Sequence, residues 1–587
     1  MKTTPHKPAI NAAGTTVLAC FLLAMPPSQG LAATYYIRPD GGNAKQCNGL
    51  GDAPYTSAAS GDCAWNHPFE ALGVCDGRDY PPHIKGGDTV IIKKGQYRMG
   101  HTKGVYDQGC CYAAWPWDCT LAPIPSGTKT QPTRILGEGW DNAPDIEAPQ
   151  LYGVERAASL LNLTDSSYVE VANLEITDHA SCGYNWLGGG QDKKYSCNYD
   201  KFPYGDWALS GIVSAKSRGP LNSSQHVTLR HINVHGLGLT GMALGNVRDW
   251  TIIDSSFSYN GFAGIDGDSH TEKKDGGFTG AMHFVRTKIN NNGCVEDWRQ
   301  AGTIVEGGCY GQEGGGYGDG IGFGAEFGDA RWSFQQCQVK YNTSDGLDFL
   351  YAGGRGSLSV EGSEIEGNAG DQLKLNLDAL IVNNKIVTNC DYFEGKSFAS
   401  PGAIQPCRGG GGAITMIINN GAKFYVLNNS FSGTAPTMIG MYGKKDVPVT
   451  GTEEAFVINN LFVSQPKFWE KDIGSDYYYT EDTSRDFLLD RFHSHHNLYY
   501  GTVQARYGIC LEKGSICNRD PRAHRVDHVS EEFDFRLPAD SVAVDAGWPA
   551  GELVDKSSVF GEVRIPTRDF TGAPRQRADI GMYETGK

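Results

Sequence analysis

The sequence predicts an all-β protein folded as a right-handed parallel β-helix, a solenoid of stacked coils, with long rim loops and a cysteine-rich N-terminal elaboration. Two observations predict this class. Glycine accounts for 77 of the 587 residues, alongside 28 tyrosines and 24 phenylalanines, as expected of many short strands joined by tight turns. Strand-forming segments also recur along the chain, and each ends in an apolar residue just before a polar or glycine turn.

The recurring segments are spaced like the coils of a solenoid. Their closing apolar residues are Val234, Phe257, Ile289, Val339, Ile365, Ile386, Phe431 and Phe462. Most intervals are 21 to 32 residues, which fits one coil, and the intervals of 45 and 50 residues fit a coil with a long loop. A β-sandwich is the alternative, but its strands would alternate every ~8–12 residues instead of once per coil.

Paired asparagines strengthen the solenoid prediction. They occur at 383–384, 428–429 and 459–460, within three of the recurring segments. Asparagine tolerates left-handed backbone geometry, and its amide can form hydrogen bonds along a stack. We therefore expect these pairs at one repeated corner. Separately, the glycine-rich segments 183–206 and 262–280 are expected to form long loops on one rim of the solenoid.

Residues 1–33 are predicted to be a signal peptide. Two lysines precede an apolar stretch at 16–25, and Gly30-Leu31-Ala32-Ala33 supplies a cleavage site of small residues. A lipoprotein signal at Cys20 is the weaker alternative, because the apolar run continues past it. We expect a secreted or periplasmic protein without a membrane span, since no later stretch approaches ~20 apolar residues.

The rest of the chain is divided into three parts by its composition. We expect a cysteine-rich cap with the first coils at 34–135, the main β-helix with the functional site at 136–470, and C-terminal coils with their closure at 471–587.

The cysteines indicate disulfides rather than a zinc site. Four local pairs are expected: Cys182/Cys197, Cys294/Cys309, Cys390/Cys407 and Cys510/Cys517. Six more lie in the N-terminal third, and their connectivity stays open. Cys337 is left over in a strand-like segment, and we expect it to be a buried free thiol.

The net charge limits the possible partners. Fifty-one basic and 67 acidic residues give −16, which disfavours nucleic acid and anionic membranes as partners. If the substrate is a polyanion, a local feature of the binding site must hold it against the repulsion of the net negative charge. We expect a monomer.

Three aligned segments carry the candidate chemistry. Residues 319–323 (DGIGF), 345–349 (DGLDF) and 371–375 (DQLKL) follow one another at intervals of 26 residues. Side chains alternate across a strand and adjacent coils lie ~4.8 Å apart, so Asp348 and Lys374 should point outward as neighbours. Asp319, Asp345 and Asp371 should form a second column at the turn entering each strand.

This pattern fits proton abstraction next to a carboxylate. Clustered carboxylates at turns suit Ca²⁺, which takes six to eight oxygen ligands, and the predicted ligands are Asp319, Asp345, Asp348 and Asp371. A bound cation would lower the pKa of Lys374 and stabilise the carbanion, so that this lysine acts as a general base. Arg355 and Lys340 are weaker candidates for binding substrate carboxylates.

The sequence resembles secreted right-handed β-helix proteins and, at the candidate site, polysaccharide lyase family 9. The opening and closing segments that resemble the wider group are 35–41 (YYIRPDG), 87–92 (GDTVII), 534–537 (DFRL), 545–547 (DAG) and 578–581 (ADIG). The lyase pattern matches residues 318–321 (GDGI), 342–349 (NTSDGLDF) and 370–375 (GDQLKL), except that Ser344 replaces an aspartate. The resemblance implies a calcium-dependent pectate lyase-like enzyme that acts on an acidic polysaccharide. In it, Asp319, Asp345 and Asp348 would bind calcium and Lys374 would be the base.

Two other functions remain open from the sequence. A β-helical glycoside hydrolase would use two of the carboxylates across the scissile sugar bond, ~5–9.5 Å apart. A non-catalytic glycan-binding or surface solenoid would use the aspartate column for structural calcium. An aspartate at a strand entry is often only a turn former, and Asp348 with Lys374 would then be a surface ion pair.

Overall fold

The computed structural model describes most of the chain. The described residues are 32–57, 61–102, 110–141, 148–180, 182–183, 196–197, 203–214, 223–267, 278–300, 303–305, 307–309, 318–324, 327–393, 412–434, 437–443, 450–464, 476–481, 491–501, 512–528 and 530–585. The chain divides into two units, Met1–Ala32 and Ala33–Lys587. Nearly all of the predicted signal peptide lies outside the described residues, and every strand and helix of the described chain belongs to the second unit.

One parallel sheet of ten strands runs along much of the molecule. In chain order its strands are β6 (Ala157–Asn162), β8 (Ala208–Val213), β10 (Thr240–Ala243), β14 (Ala263–Asp266), β21 (Ile321–Gly322), β24 (Leu347–Phe349), β27 (Leu373–Leu375), β30 (Gly412–Ile417), β33 (Thr437–Tyr442) and β36 (Asp476–Glu481). Each strand pairs with its neighbours in this order, so that β6 and β36 are the two edges of the described sheet.

A second sheet of 25 strands forms the other walls. Its strands are β1 (Thr34–Gly42), β2 (Thr89–Ile92), β3 (Gln96–Met99), β4 (Thr133–Gly137), β5 (Gln150–Gly153), β7 (Ser167–Asp178), β9 (Ser223–His235), β11 (Asn246–Arg248), β12 (Trp250–Ile253), β13 (Ser256–Ser258), β15 (Ala281–Val285), β16 (Lys288–Asn290), β22 (Arg331–Gln335), β23 (Gln338–Lys340), β25 (Ser357–Glu361), β26 (Glu364–Glu366), β28 (Asp378–Val382), β29 (Lys385–Thr388), β31 (Lys423–Leu427), β32 (Ser430–Gly433), β34 (Glu454–Ile458), β35 (Leu461–Ser464), β37 (Phe492–His495), β38 (Leu498–Tyr500) and β39 (Ile516–Cys517). This architecture is the predicted parallel β-helix.

The remaining elements are short. Antiparallel pairs are formed by β17 (Cys294–Val295) with β20 (Gly308–Cys309), β18 (Trp298–Gln300) with β19 (Thr303–Val305), β40 (Arg525–Asp527) with β41 (Glu532–Asp534), and β42 (Leu553–Ser558) with β43 (Gly561–Arg564). One α-helix, α1 (Pro68–Leu72), and three 3₁₀ turns (Pro116–Asp118, Leu350–Ala352 and Cys390–Phe393) complete the described elements. In the described part of the chain, no helix has the length and apolar character needed to cross a membrane.

The register confirms the predicted coils. Each closing apolar residue, from Val234 through Phe462, pairs directly with its counterpart in the next coil. In the ten-stranded sheet, Ile265, Ile321, Leu347 and Leu373 form a corresponding inward column, and all four are fully buried. The core is thus a stack of apolar side chains that each coil buries only against its neighbours.

The asparagine pairs occupy one corner, as predicted. The first residue of each pair is left-handed, for example Asn428 with φ of 52°. The second donates its amide to the next coil: Asn384 Nδ2 lies 2.9 Å from Asn429 Oδ1, and Asn429 Nδ2 lies 3.1 Å from Asn460 Oδ1. These buried amides therefore satisfy one another along the stack.

The disulfides follow the local pairing. Cys182–Cys197 and Cys294–Cys309 are formed as predicted, and Cys337 is a buried free thiol. The six N-terminal cysteines pair locally as Cys47–Cys63, Cys75–Cys110 and Cys111–Cys119. Cys517 is disulfide-bonded, while Cys407 and Cys510 lie outside the described residues.

One predicted loop contains a strand. The segment 262–280 includes β14 of the ten-stranded sheet, so its first residues belong to a coil and not to the rim. Residues 268–277, and most of the predicted loop 183–206, lie outside the described residues.

Candidate functional site

The three predicted aspartates stack at the entry to consecutive strands. Strand β21 pairs with β24 and β24 with β27, which aligns Asp319, Asp345 and Asp371. Oδ1 of Asp319 accepts the backbone N–H of Asp345 at 2.9 Å, and Oδ1 of Asp345 accepts that of Asp371 at 2.6 Å. Asp371 Oδ1 accepts the N–H of Gly412 at 2.7 Å. One oxygen of each carboxylate thus joins a coil to the next.

A second asparagine ladder, at a different corner, fixes the position of these strand entries. Asn342 Nδ2 lies 2.8 Å from Asn368 Oδ1, and both amides are buried. A Cβ atom at Gly346 would lie 2.6 Å from the backbone oxygen of Gln372 and 2.7 Å from Asn368 Nδ2, so the residue after Asp345 must be glycine. In the next coil Gln372 takes that place, and its Oε1 accepts the amide of Asn368 at 2.8 Å. The backbone of the next coil and the ladder together explain the glycines of the repeated motif, and the ladder explains its single glutamine.

The outward column is also confirmed. Gly322 pairs with Asp348, and Asp348 pairs with Lys374. Lys374 Nζ lies 2.9 Å from Asp345 Oδ2 and 3.6 Å from Asp348 Oδ2, and the Lys374 side chain is 21% exposed to solvent. We call Asp319, Asp345, Asp348, Asp371 and Lys374 the acid cluster.

The structure adds Asp266 to the outward column, a residue that sequence reasoning misses. Asp266 pairs with Gly322 and is 8% exposed. The signal is the dipeptide Gly264-Ile265, which matches Gly320-Ile321 one coil later. It is hidden because that coil carries a long excursion between the two dipeptides, and the abundant glycine around its strand is typical of a loop.

Gly322 leaves the space that the carboxylates share. A Cβ atom at this position would lie 2.6 Å from Asp319 Oδ2. The side chain of Asp319 therefore reaches over Gly322, toward the column that contains Asp266 and Asp348.

Electrostatics in the acid cluster reflect an excess of negative charge. Burial and the charges of Asp345 and Asp319 raise the pKa of Asp348 well above its usual value. Burial and the charge of Asp345 raise the pKa of Asp371 to about 6. Burial lowers the pKa of Lys374, but the charges of Asp345, Asp348 and Asp371 outweigh it and raise that pKa above its usual value. The sequence predicts a lowered pKa for Lys374 beside a bound cation, whereas the protein groups alone have the opposite effect.

The acid cluster has the donor chemistry of a calcium site. Its potential ligands are hard carboxylate oxygens at strand entries, beside a glycine that leaves room. The Lys374 ammonium lies between Asp345 and Asp348 and offsets part of the charge that a divalent cation would offset. Among the described residues, no three carboxylates bring their oxygens within 4.8 Å of one another. The residues fit Ca²⁺ by type and charge, and side-chain rotation would be needed to close a ligand set.

The other predicted site residues lie elsewhere or are buried. Lys340 is on the 25-stranded sheet, where its Nζ lies 2.5 Å from Glu364 Oε2, so the structure does not bring it to the acid cluster. Arg355 is exposed on the loop after β24. Ser344, which replaces the family's aspartate, is fully buried, so this coil supplies Asp345 and Asp348 but no third carboxylate.

Comparisons with known proteins find only distant structural similarity. No family model and no curated protein matches the sequence. The chain is similar in structure to pectate lyase Pel9A, with a TM-score of 0.41 and 13% identity over 95% of this chain and 98% of that one. It is also similar to a mannuronic acid specific family 6 polysaccharide lyase from human gut microbiota, with a TM-score of 0.40 and 10% identity over 76% of this chain and 88% of that one.

A third structure is the A-module of the Azotobacter vinelandii mannuronan C-5 epimerase AlgE4. Its TM-score is 0.38, with 13% identity over 73% of this chain and 90% of that one. At these values the function has to be argued from the site itself.

Proposed function

We propose that the protein is an exported, calcium-dependent polysaccharide lyase that cleaves a uronic acid-containing polysaccharide by β-elimination, with a pectate-like substrate by resemblance. The observation that carries this proposal is the position of Lys374. Its amine lies on the outward column, partly exposed and within 3.6 Å of two carboxylates that outnumber it. This pairing of one amine with surplus acids suits an enzyme that must bind a cation and move a proton at the same place.

In the proposed reaction, Lys374 Nζ removes the proton on the sugar carbon next to the carboxylate. The electron pair of that C–H bond forms a double bond between C4 and C5, and the C4–O bond breaks. The departing glycosidic oxygen receives a proton from water. The products are one chain with a new reducing end and one chain whose non-reducing end is the 4,5-unsaturated sugar.

The acids around the amine have a complementary role. Asp319, Asp345, Asp348 and Asp371 would hold Ca²⁺, which supplies positive charge that offsets the substrate carboxylate and the developing carbanion. Asp345 also orients Lys374 through the contact of 2.9 Å. The lysine must enter the reaction as the neutral amine, so activity should rise toward alkaline pH.

The proposal is tested by screening acidic polysaccharides with Ca²⁺ at alkaline pH and following the ultraviolet absorbance of the unsaturated product. We expect activity on at least one uronate polymer, a loss of at least about 100-fold with a chelator, and recovery when Ca²⁺ is restored. Reducing ends that appear without this absorbance would indicate a hydrolase and overturn the proposal. Binding without any product would indicate a non-catalytic solenoid.

A further inference from the structure

A group of aromatic side chains lies beside β6, at one end of the ten-stranded sheet. Trp115 is 50% exposed, and its ring meets that of Trp117 edge-on at 5.3 Å between centroids. Trp117 in turn meets Tyr204 edge-on at 6.1 Å. We call Trp115, Trp117 and Tyr204 the aromatic platform.

The aromatic platform is held rigidly against the sheet. The disulfide Cys111–Cys119 closes the segment that carries both tryptophans, and buried Pro116 lies between them. The guanidinium of Arg156 lies 4.1 Å from the ring centroid of Trp117 and 4.7 Å from that of Tyr204. Since Arg156 directly precedes β6, this cation connects the rings to the first strand of the sheet.

An exposed tryptophan on a rigid support is the kind of surface that stacks with a flat, partly apolar ligand. Sugar rings present C–H faces of this kind, so a saccharide is a class of ligand that this surface fits. The disulfide closes the segment that carries Trp115, and Trp115 packs on Trp117, which Arg156 contacts, so this support would preorganise the platform for a ligand.

The position of the aromatic platform relates it to the acid cluster. Arg156 enters β6 at the edge of the sheet where Asp319 enters β21. Five strand pairings separate β6 from β24, which carries Asp348, so these two strands lie about 24 Å apart along the stack at ~4.8 Å per pairing. An extended polysaccharide that advances about one strand spacing per sugar would span this distance with about five units.

We propose that the aromatic platform is a distal subsite, in which Trp115 stacks on a sugar ring of the same acidic polysaccharide that reaches the acid cluster. The inference rests on the proposed function, because it takes the acid cluster as the place of cleavage. It deepens that function by predicting a preference for long chains bound along the ten-stranded sheet.

The test compares Trp115→Ala with wild type on the polymer and on oligosaccharides of two or three units, which are too short to span both places. We expect KM for the polymer to rise about fivefold to tenfold with kcat unchanged, and no change on the short substrates. Trp115→Phe should recover most of the affinity. The control is Val559→Ala, which truncates a side chain that is 64% exposed on the β42–β43 hairpin.

A binding measurement separates this inference from the proposed function. Affinity electrophoresis in gels containing the polymer should show weaker retardation of Trp115→Ala than of wild type, whether or not any sugar is cleaved. If retardation and KM are unchanged in Trp115→Ala, the subsite is excluded and the lyase proposal stands. If no uronate polymer is cleaved but Trp115→Ala loses retardation, the proposed reaction fails while the platform remains a glycan-binding surface.

Discussion

Two charged clusters lie on the same stretch of coils, one on each sheet, and they differ in their balance of charge. The acid cluster has four carboxylates for the single amine of Lys374. The other cluster, which we call the paired cluster, consists of Lys340, Lys385, Glu364 and Glu366. There Lys385 Nζ lies 2.8 Å from Glu364 and 3.1 Å from Glu366, and Lys340 Nζ contacts the same two glutamates.

This difference in balance appears in the pKa values. In the paired cluster burial alone would raise the pKa of Glu364, but Lys385 and Lys340 lower it to about 2. In the acid cluster burial and neighbouring negative charge raise the pKa of Asp371 to about 6. The ionised carboxylate of Glu364 therefore stabilises the fold in the paired cluster, whereas ionising Asp371 in the acid cluster destabilises it. An uncompensated cost of this kind is typical of a functional site.

The largest expected effect is on activity, from removing the amine of the acid cluster. Lys374→Gln should lower kcat by about 10²–10⁴-fold, the usual contribution of a general base. The matched change in the paired cluster, Lys385→Gln, should leave kcat within about twofold of wild type, since that side chain lies on the other sheet. Initial rates of ultraviolet absorbance on the polymer measure both.

Circular dichroism and thermal unfolding provide the control for this pair. In the presence of Ca²⁺, Lys385→Gln should be less stable than Lys374→Gln. It leaves Glu364 and Glu366 with Lys340 as their remaining lysine partner in the paired cluster. If Lys374→Gln kept full turnover, or if Lys385→Gln lost as much activity, the distinction between the clusters would be wrong.

The sequence predicts the coils of the acid cluster well for a physical reason. Segments 26 residues apart without insertions keep the same register, so the amino-acid pattern alone places Asp345, Asp348 and Lys374 together. It does not place Asp266, because a long excursion separates its coil from the next and hides the periodicity. Lys340 lies on the other sheet beside Glu364 and Glu366 of the following coil, and the sequence spacing does not show that its charge is already paired there.

Cysteine pairing shows the same limit. Cys182–Cys197 and Cys294–Cys309 are predictable because each pair is isolated within its own loop. The crowded N-terminal cysteines allow many connectivities, although the pairs formed are again local. The direction of the Lys374 pKa shift cannot be derived from sequence, because it depends on whether the acids face a cation or only the lysine.

The next effect is on stability, in the paired cluster. Glu364→Gln should lower the free energy of unfolding by about 2–3 kcal/mol at pH 7, because it breaks a partly buried charge network. The folded pKa of about 2 lies below the usual 4.5, so this stabilisation is present above pH 4.5 and is lost as the pH falls toward 2. Urea unfolding at pH 7 and pH 3 measures the difference, and an equal loss at both pH values would contradict the ionic origin.

The smallest expected effect is on the stability of the acid cluster, and its dependence on pH is opposite to that of the paired cluster. The folded pKa of Asp371, about 6, lies above the usual 3.8, so ionising this carboxylate destabilises the fold as the pH rises from 4 through 6. Asp371→Asn removes that charge, and its amide oxygen can still accept the N–H of Gly412. With a chelator present, the variant should therefore be about 1–2 kcal/mol more stable than wild type at pH 7.5 and equal to it near pH 4.

The control for this last prediction is Asp79→Asn at an exposed position, which should change the free energy of unfolding by less than about 0.5 kcal/mol at either pH. A further arm adds Ca²⁺ at pH 7.5. Wild type should then gain more stability than Asp371→Asn, because the cation offsets a charge that only wild type carries. If Asp371→Asn were instead destabilised equally at both pH values, its carboxylate would be a satisfied acceptor of the Gly412 N–H, and the acid cluster would resemble the paired cluster after all.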